Sequence, residues 1–132
     1  MVRQRPPGYR TMSTMQPVLK RLHSPDVMDL EAFSPADPNS FSFLLQAMFG
    51  PEGSDGEESF DILVCTPGWL ASEVERKGLV DGRHHLVVSR FDLVQIRSFL
   101  VAYAKNCASK TWLEAATKLS RLGKWEFEDY RP

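Results

Sequence analysis

Two apolar segments separated by a short polar turn constrain this chain more than any other feature. Residues 41–49 read FSFLLQAMF, and residues 60–65 read FDILVC. Gly50-Pro51 ends the first run, and the polar segment 52–59, EGSDGEES, separates it from the second. Aromatic and β-branched residues bounded by Gly and Pro favour strands over helices. The sequence therefore predicts an antiparallel hairpin whose loop exceeds the two-residue minimum.

Three helices are predicted after this hairpin. Thr66 is a favoured N-cap, Pro67 suits the first helical position, and Gly78 ends a helix that runs to about Lys77. The next two helices begin with the capping-box spacing, Asp92 with Gln95 and Thr111 with Glu114. Their inward faces follow from apolar residues at helical intervals: Leu93, Ile96, Leu100 and Tyr103 or Ala104, then Trp112, Ala115, Ala116 and Leu119. Trp69 and Trp125 are also expected in the core.

Shorter strands are predicted at residues 16–23, 84–89 and 124–130, the last reading KWEFEDY. The element order is then three strands, a helix, a strand, two helices and a strand. Hairpin-linked strands with helices clustered later are typical of an α+β fold. We expect an antiparallel or mixed sheet of about five strands, with about three helices packed mainly on one face.

The chain of 132 residues fits one domain, which we place at residues 16–132. Residues 1–15 are predicted to form a flexible tail, because Pro6, Pro7 and Gly8 interrupt any helix. This tail suggests an upstream extension, with Met12 or Met15 as the native start. It lacks the apolar run of a secretion signal, and no segment approaches the roughly 20 apolar residues of a membrane span. A cytoplasmic protein without a membrane partner is expected.

The charge balance does not favour nucleic acid as a partner. The formal net charge is −1, and three of the 16 basic residues, Arg3, Arg5 and Arg10, lie in the predicted tail, which has no acid. The remaining 13 basic residues are therefore outnumbered by 17 acidic ones, so the folded part is mildly acidic. A modest basic cluster near the third helix is interpreted as a solvated helix face; its members are Lys105, Lys110, Lys118, Arg121 and Lys124.

No pattern typical of catalysis was found. Two of the three histidines, His84 and His85, are adjacent at a strand start and would point to opposite faces, and His23 lies in no Ser or Cys motif. Cys65 and Cys107 are far apart and lack zinc-site spacing, so we expect buried, reduced thiols, with a disulfide left open. Without a phosphate-binding glycine loop either, the sequence predicts no enzyme, no cofactor and no metal site.

Two acidic clusters suggest a binding surface. Four acids surround the predicted turn, and we call this cluster the acidic hairpin: Glu52, Asp55, Glu57 and Glu58. Asp61 follows them in the second strand. In the predicted terminal strand, Glu126, Glu128 and Tyr130 would share the face opposite Trp125 and Phe127. An acidic surface steers association with a basic partner, and Tyr is enriched at binding hot spots. Simple solubility is the alternative for each cluster.

Several segments resemble the immunity protein 8 family of bacterial polymorphic-toxin systems. They are FDILVCTPGWL at 60–70, HHLVVS at 84–89, TWLE at 111–114, KLSR at 118–121 and the most specific element, WEFEDY at 125–130. The resemblance extends over roughly Val18 to Tyr130. It implies an α+β protein that binds and neutralises a cognate toxin protein, without catalysis or cofactor. It assigns no functional residues to this chain.

The leading hypothesis is therefore an immunity protein, either a monomer or a small homo-oligomer. Its candidate toxin-binding residues are those of the acidic hairpin together with Glu126, Glu128 and Tyr130. Two alternatives remain at this stage, a small enzyme of unrecognised type and a structural or oligomerisation module. A concave site with titratable groups of shifted pKa would favour the enzyme, and a stable symmetric oligomer that buries the acidic surfaces would favour the module.

Overall fold

The structure, a computed structural model, describes residues 14–128. Within these residues, five strands, one short 3-10 helix and three α-helices follow one another. The strands are β1 (Pro17–His23), β2 (Ser42–Pro51), β3 (Glu58–Cys65), β4 (His85–Val87) and β5 (Lys124–Trp125). The α-helices are α1 (Pro67–Lys77), α2 (Leu93–Lys105) and α3 (Trp112–Leu119), and the 3-10 helix is Leu30–Ala32. The predicted α+β class is confirmed.

The five strands form one mixed sheet in the order β1-β2-β3-β4, with β5 also on β3. Strands β1, β2 and β3 are antiparallel neighbours, whereas β4 runs parallel to β3. A parallel neighbour needs a crossover connection, and α1 lies in the segment between these two strands. The two-residue β5 pairs antiparallel with Phe60 and Asp61.

Alternation along β2 and β3 divides the sheet into a core face and an outer face. Seven residues of these strands point to the core and are almost fully buried: Phe43, Leu45, Ala47, Phe49, Phe60, Ile62 and Val64. The residues between them, such as Leu44, Gln46 and Leu63, are only partly buried. Burying one large apolar side chain stabilises the fold by about 1.5–3 kcal/mol, so this face provides the main driving force for folding.

Helices α2 and α3 supply the second layer of the core. Their buried residues are Leu93, Ile96, Leu100 and Ala104 from α2 and Ala115, Ala116 and Leu119 from α3, as the helical spacing predicted. Trp112 and Trp125 pack against this core and stay partly exposed. Helix α1 has no buried residue, and its Trp69 is partly buried outside the core cluster, contrary to our expectation.

Both ends of the described chain differ from the sequence-based boundaries. Met15, assigned to the tail, forms a backbone bridge with Ser109, and residues 1–13 lie outside the described residues. At the other end, the predicted strand 124–130 is wrong at residues 126–128, which form a turn, and residues 129 and 130 lie outside the described residues. The Glu126 carboxylate accepts a hydrogen bond from the backbone N–H of Ser59, and a side chain thereby takes the donor that a longer ladder would use.

Thr66 joins β3, the second strand of the hairpin, to α1. Its side chain is buried, and Oγ1 accepts hydrogen bonds from the backbone N–H of Phe41 at 3.1 Å and of Trp69 at 3.3 Å. The Trp69 bond is the N-cap that the sequence predicted, and the Phe41 bond satisfies a buried donor just before β2. The hydroxyl therefore satisfies one buried backbone donor, that of Phe41, and one partly buried donor, that of Trp69.

Replacing Thr66 by alanine should lower the free energy of unfolding by about 2–4 kcal/mol, because a cap is lost and a buried donor is left unpaired. Urea unfolding followed by far-UV circular dichroism measures this loss. Thr66→Ser keeps the hydroxyl and should lose less than about 1 kcal/mol. Thr111→Ala, which removes a cap from one backbone donor at an exposed site, should lose only about 1 kcal/mol. Equal losses for T66A and T111A would contradict the double role.

Candidate functional site

The loop of the acidic hairpin has a defined shape. Ser54 N–H bonds to the Pro51 carbonyl, and Gly53 between them has a φ of 79°, which the third position of a type II turn requires. Ser54 Oγ then accepts the N–H of Gly56. A Cβ built on Gly50 would lie 1.9 Å from the Gly56 carbonyl oxygen. The loop thus folds closely over the end of β2.

Strand β1 holds the same loop from its other side. The Lys20 ammonium group donates to the Ser54 carbonyl, and the Arg21 guanidinium pairs with the Glu57 carboxylate at 2.6 Å. Neither contact was predicted, since it depends on the register of β1 against β2 and on an irregularity between Leu19 and Arg21. No sequence signal beyond the consecutive basic residues indicates these partners.

The four acids of the hairpin have different environments. Glu52 and Asp55 are exposed, and neither carboxylate forms an ion pair within 4.0 Å among residues 14–128. Glu57 is neutralised by Arg21 and is partly buried. Glu58 lies in β3 instead of the predicted turn, because that strand begins two residues earlier than expected.

The Glu58 carboxylate links three elements of the fold. Its Oε1 accepts the indole N–H of Trp112 at 2.6 Å and that of Trp125 at 3.0 Å. Trp112 begins α3, Trp125 ends β5, and all three side chains are partly buried. Because an indole can only donate, an acceptor at this point satisfies both tryptophans. The carboxylate therefore holds the base of the acidic hairpin against α3 and β5.

The terminal acids are also engaged within the chain. Glu126 accepts the Ser59 N–H at 2.7 Å, and Glu128 pairs with Arg83 at 3.2 Å. Both contacts bring the terminal segment close to β3 and to the segment before β4. Tyr130, the third member of this predicted cluster, lies outside the described residues. The structure thus brings Glu126 near the start of β3, whereas the alternating faces predicted for 126–130 are not formed over 126–128.

The histidines occupy separate places. His84 has a left-handed backbone with φ 63°, and its Nε2 lies 2.7 Å from the Ser120 carbonyl. His85 Nδ1 lies 2.9 Å from the Arg83 carbonyl. His23 lines a depression of about 230 Å³ that also includes Asp29 and Glu31. Within the described chain, none of the three rings has a hydrogen bond to a Ser, Thr or Cys side chain.

Both cysteines are free and buried, which confirms the predicted reduced thiols. Burial raises the pKa of the Cys65 thiol above its usual value. Burial likewise raises the pKa of Cys107, although the charges of Lys118 and Arg121 act in the opposite direction. A raised pKa keeps a thiol protonated at neutral pH and makes it a poor nucleophile.

Residues 14–128 contain no group of three or more His, Cys, Asp or Glu side chains placed to hold a metal ion. None of their helices combines the length and the apolar character needed to cross a membrane.

The model of the immunity protein 8 family matches residues 17–130, which is most of the chain. This chain belongs to the immunity protein 8 family. The match confirms the resemblance that the sequence segments predicted, and the family description indicates an immunity role. Comparisons with curated proteins and with solved structures found no match.

Replacing Glu58 by alanine in this family member should lower the free energy of unfolding by about 3 kcal/mol, because two indole N–H groups lose a charged acceptor. Urea unfolding measures the change, and tryptophan emission should shift to longer wavelength as the indoles gain contact with water. Glu57→Ala removes only the ion pair with the exposed Arg21 and should lose less than about 1 kcal/mol. Equal losses for E57A and E58A would contradict the linking role of Glu58.

Proposed function

We propose that this chain binds and neutralises a cognate bacterial toxin domain by surface complementarity, without catalysing a reaction. The family match over residues 17–130 is the observation that carries this proposal. The environments of the cysteines support it as well, because both thiols are buried and their pKa is raised by burial. We further propose that the chain acts in the cytoplasm, where it would meet an incoming toxin.

We propose the acidic hairpin as a contact region, with Glu52 and Asp55 as the residues that meet the toxin. Their carboxylates are exposed and form no ion pair in the described chain, so their charge is available to a partner. The turn at Gly53 and the contact from Lys20 fix the loop on which they stand. A fixed loop loses little conformational entropy on binding, and exposed charges attract a basic surface over a distance.

The other acids are proposed to support that region. Glu58 and Glu126 form hydrogen bonds to neighbouring elements, which position the start of β3 under the loop. Glu57 and Glu128 are paired with arginines, so a toxin must compete for their charge. Tyr130 stays a proposed contact. The partner that fits this surface is a toxin domain with a basic cleft, as expected for a domain that acts on anionic substrates.

Protection of growing cells tests the function itself. We expect that expressing the toxin domain encoded beside this chain arrests growth of a bacterial host, and that co-expressing the chain restores it. Mixing the purified proteins should also give a 1:1 complex by analytical ultracentrifugation. Arrested growth despite a folded, abundant chain would contradict the proposal. Restored growth without any complex would contradict neutralisation by binding.

Reversing both free charges of the hairpin, E52K with D55K, should slow association with that toxin domain by about tenfold and flatten its salt dependence, because attraction over a distance is lost. Surface plasmon resonance at several salt concentrations measures both quantities. Glu75→Lys is the matched control, since Glu75 is an exposed acid of α1 without an ion pair in the described chain. An unchanged rate and salt slope for the double variant, or an equal effect of E75K, would show that the hairpin is not the contact.

A further inference from the structure

The ion pairs of the described chain are distributed unevenly. Every described arginine before residue 100 has a carboxylate within 4.0 Å, in the pairs Arg21–Glu57, Arg76–Glu73, Arg83–Glu128, Arg90–Asp92 and Arg97–Glu31. The structure describes five basic residues after residue 100, and none of them has such a partner. They are Lys105, Lys110, Lys118, Arg121 and Lys124. The second half of the α2–α3 region thus carries positive charge that the described chain leaves unneutralised.

Two of these cations line a depression, which we call the basic depression. It has a volume of about 170 Å³ and is lined by Tyr103, Asn106, Cys107, Lys118 and Arg121. No carboxylate lines it. A water molecule takes about 30 Å³, so the space is large enough for a carboxylate group with some of its hydration. The depression lies between the last turn of α2 and the end of α3.

The lining groups can donate several hydrogen bonds. Lys118 Nζ uses one donor on the Ala108 carbonyl at 3.3 Å and keeps two more. Arg121 is exposed and presents a guanidinium group, whose fork geometry matches a carboxylate. Burial raises the pKa of Tyr103, so its hydroxyl stays protonated and available as a donor. These donors come from two different helical segments that enclose one space.

The positive charges act on the interior of the depression. Burial has the largest effect on the pKa of Cys107 and raises it, whereas the charges of Lys118 and Arg121 lower it. The Arg121 charge also lowers the pKa of Tyr103, which burial raises. A cation in the last turn of a helix stabilises that helix, and this accounts for part of the role of Lys118. Helix stabilisation by Lys118 alone does not explain why a second cation, Arg121, lines the same depression, which no acid lines.

The surroundings favour a protein over a nucleic acid as the partner. Glu52 of the acidic hairpin and Lys105 line a second depression together with Ala104, on other residues of the last turn of α2. Glu52 thus lines the same depression as one of the five unpaired cations, Lys105, and interrupts the positive surface that the continuous phosphates of a nucleic acid would follow. A protein surface can instead present a carboxylate to one part and a basic group to the other.

We propose that the basic depression receives a carboxylate side chain from an acidic segment of the protein partner, in addition to the contact that the acidic hairpin makes. This inference rests on the proposed function in one respect, namely that the partner is a protein. The carboxylate pairs with the Arg121 guanidinium and the Lys118 ammonium group, and the Tyr103 hydroxyl provides a further donor. The two charged regions together would fix the orientation of the bound partner.

A titration without any toxin tests this site. The full chain, labelled with ¹⁵N, is titrated at low salt with a capped hexaglutamate peptide, and amide shifts are followed by NMR. We expect saturable shifts concentrated at Asn106, Cys107 and Arg121. The variant R121Q should bind the peptide about two- to fivefold more weakly, the range of an exposed ion pair, and R121Q with K118Q about tenfold more weakly. A hexaglutamine peptide should cause no such shifts.

Lys124→Gln is the matched control, because Lys124 is an exposed cation without an ion pair in the described residues and lies outside the depression. It should leave peptide affinity unchanged. Shifts scattered over all the lysines, or equal affinity of R121Q and the native chain, would overturn the proposal. Tighter, Arg121-dependent binding of inorganic phosphate or of a single-stranded DNA oligomer would also overturn it, in favour of a free anion or a nucleic acid.

The two proposals can fail separately. Saturable peptide binding at the depression, in a chain that does not protect cells from the neighbouring toxin, would contradict the proposed function and leave the carboxylate site standing. If the chain protects cells but R121Q binds the peptide as tightly as the native chain does, the carboxylate site is contradicted and the proposed function stands. The R121Q variant keeps the test independent of Lys118, whose contact with the Ala108 carbonyl also supports the local fold.

Discussion

One carboxylate oxygen, Oε1 of Glu58, connects the parts of this molecule that are far apart in sequence. The two indole groups that donate to it belong to the first residue of α3 and to the last residue of β5. The hairpin of β2 and β3 is therefore attached to the helical layer through a polar contact at its turn end, in addition to the apolar core between them. The loop that carries Glu52 and Asp55 begins from this fixed base, so their position depends on it.

Much of the architecture follows from local signals. Thr66, Asp92 and Thr111 each cap the helix that the sequence predicted, with the side chain accepting the expected backbone N–H. The alternation in β2 and β3 defines the core face because one side of a strand must be apolar where it meets helices. Each cap and each alternating pattern depends on residues only a few positions apart, so the local sequence alone predicts it.

The features that could not be predicted depend on contacts between distant segments. Strand β5 ends early because Glu126 takes the N–H of Ser59, and nothing within the segment 125–130 indicates that competitor. The pairing of Arg21 with Glu57 depends on the register of β1. Sequence reasoning places an acid such as Glu58 on the surface, whereas here its carboxylate accepts hydrogen bonds from two indole groups 54 and 67 residues away. The sequence thus predicted that these acids cluster, but it did not predict which of them are free and which are bonded within the chain.

Helix α1 has a different relation to the fold from the other two helices. It contributes no buried residue, and a favourable cap at Thr66 and an end at Gly78 define its limits. Substitutions along most of its length therefore carry little thermodynamic penalty, in contrast to α2 and α3. Side chains on the exposed face of α1 can thus be exchanged one at a time without opening a cavity in the interior of the domain.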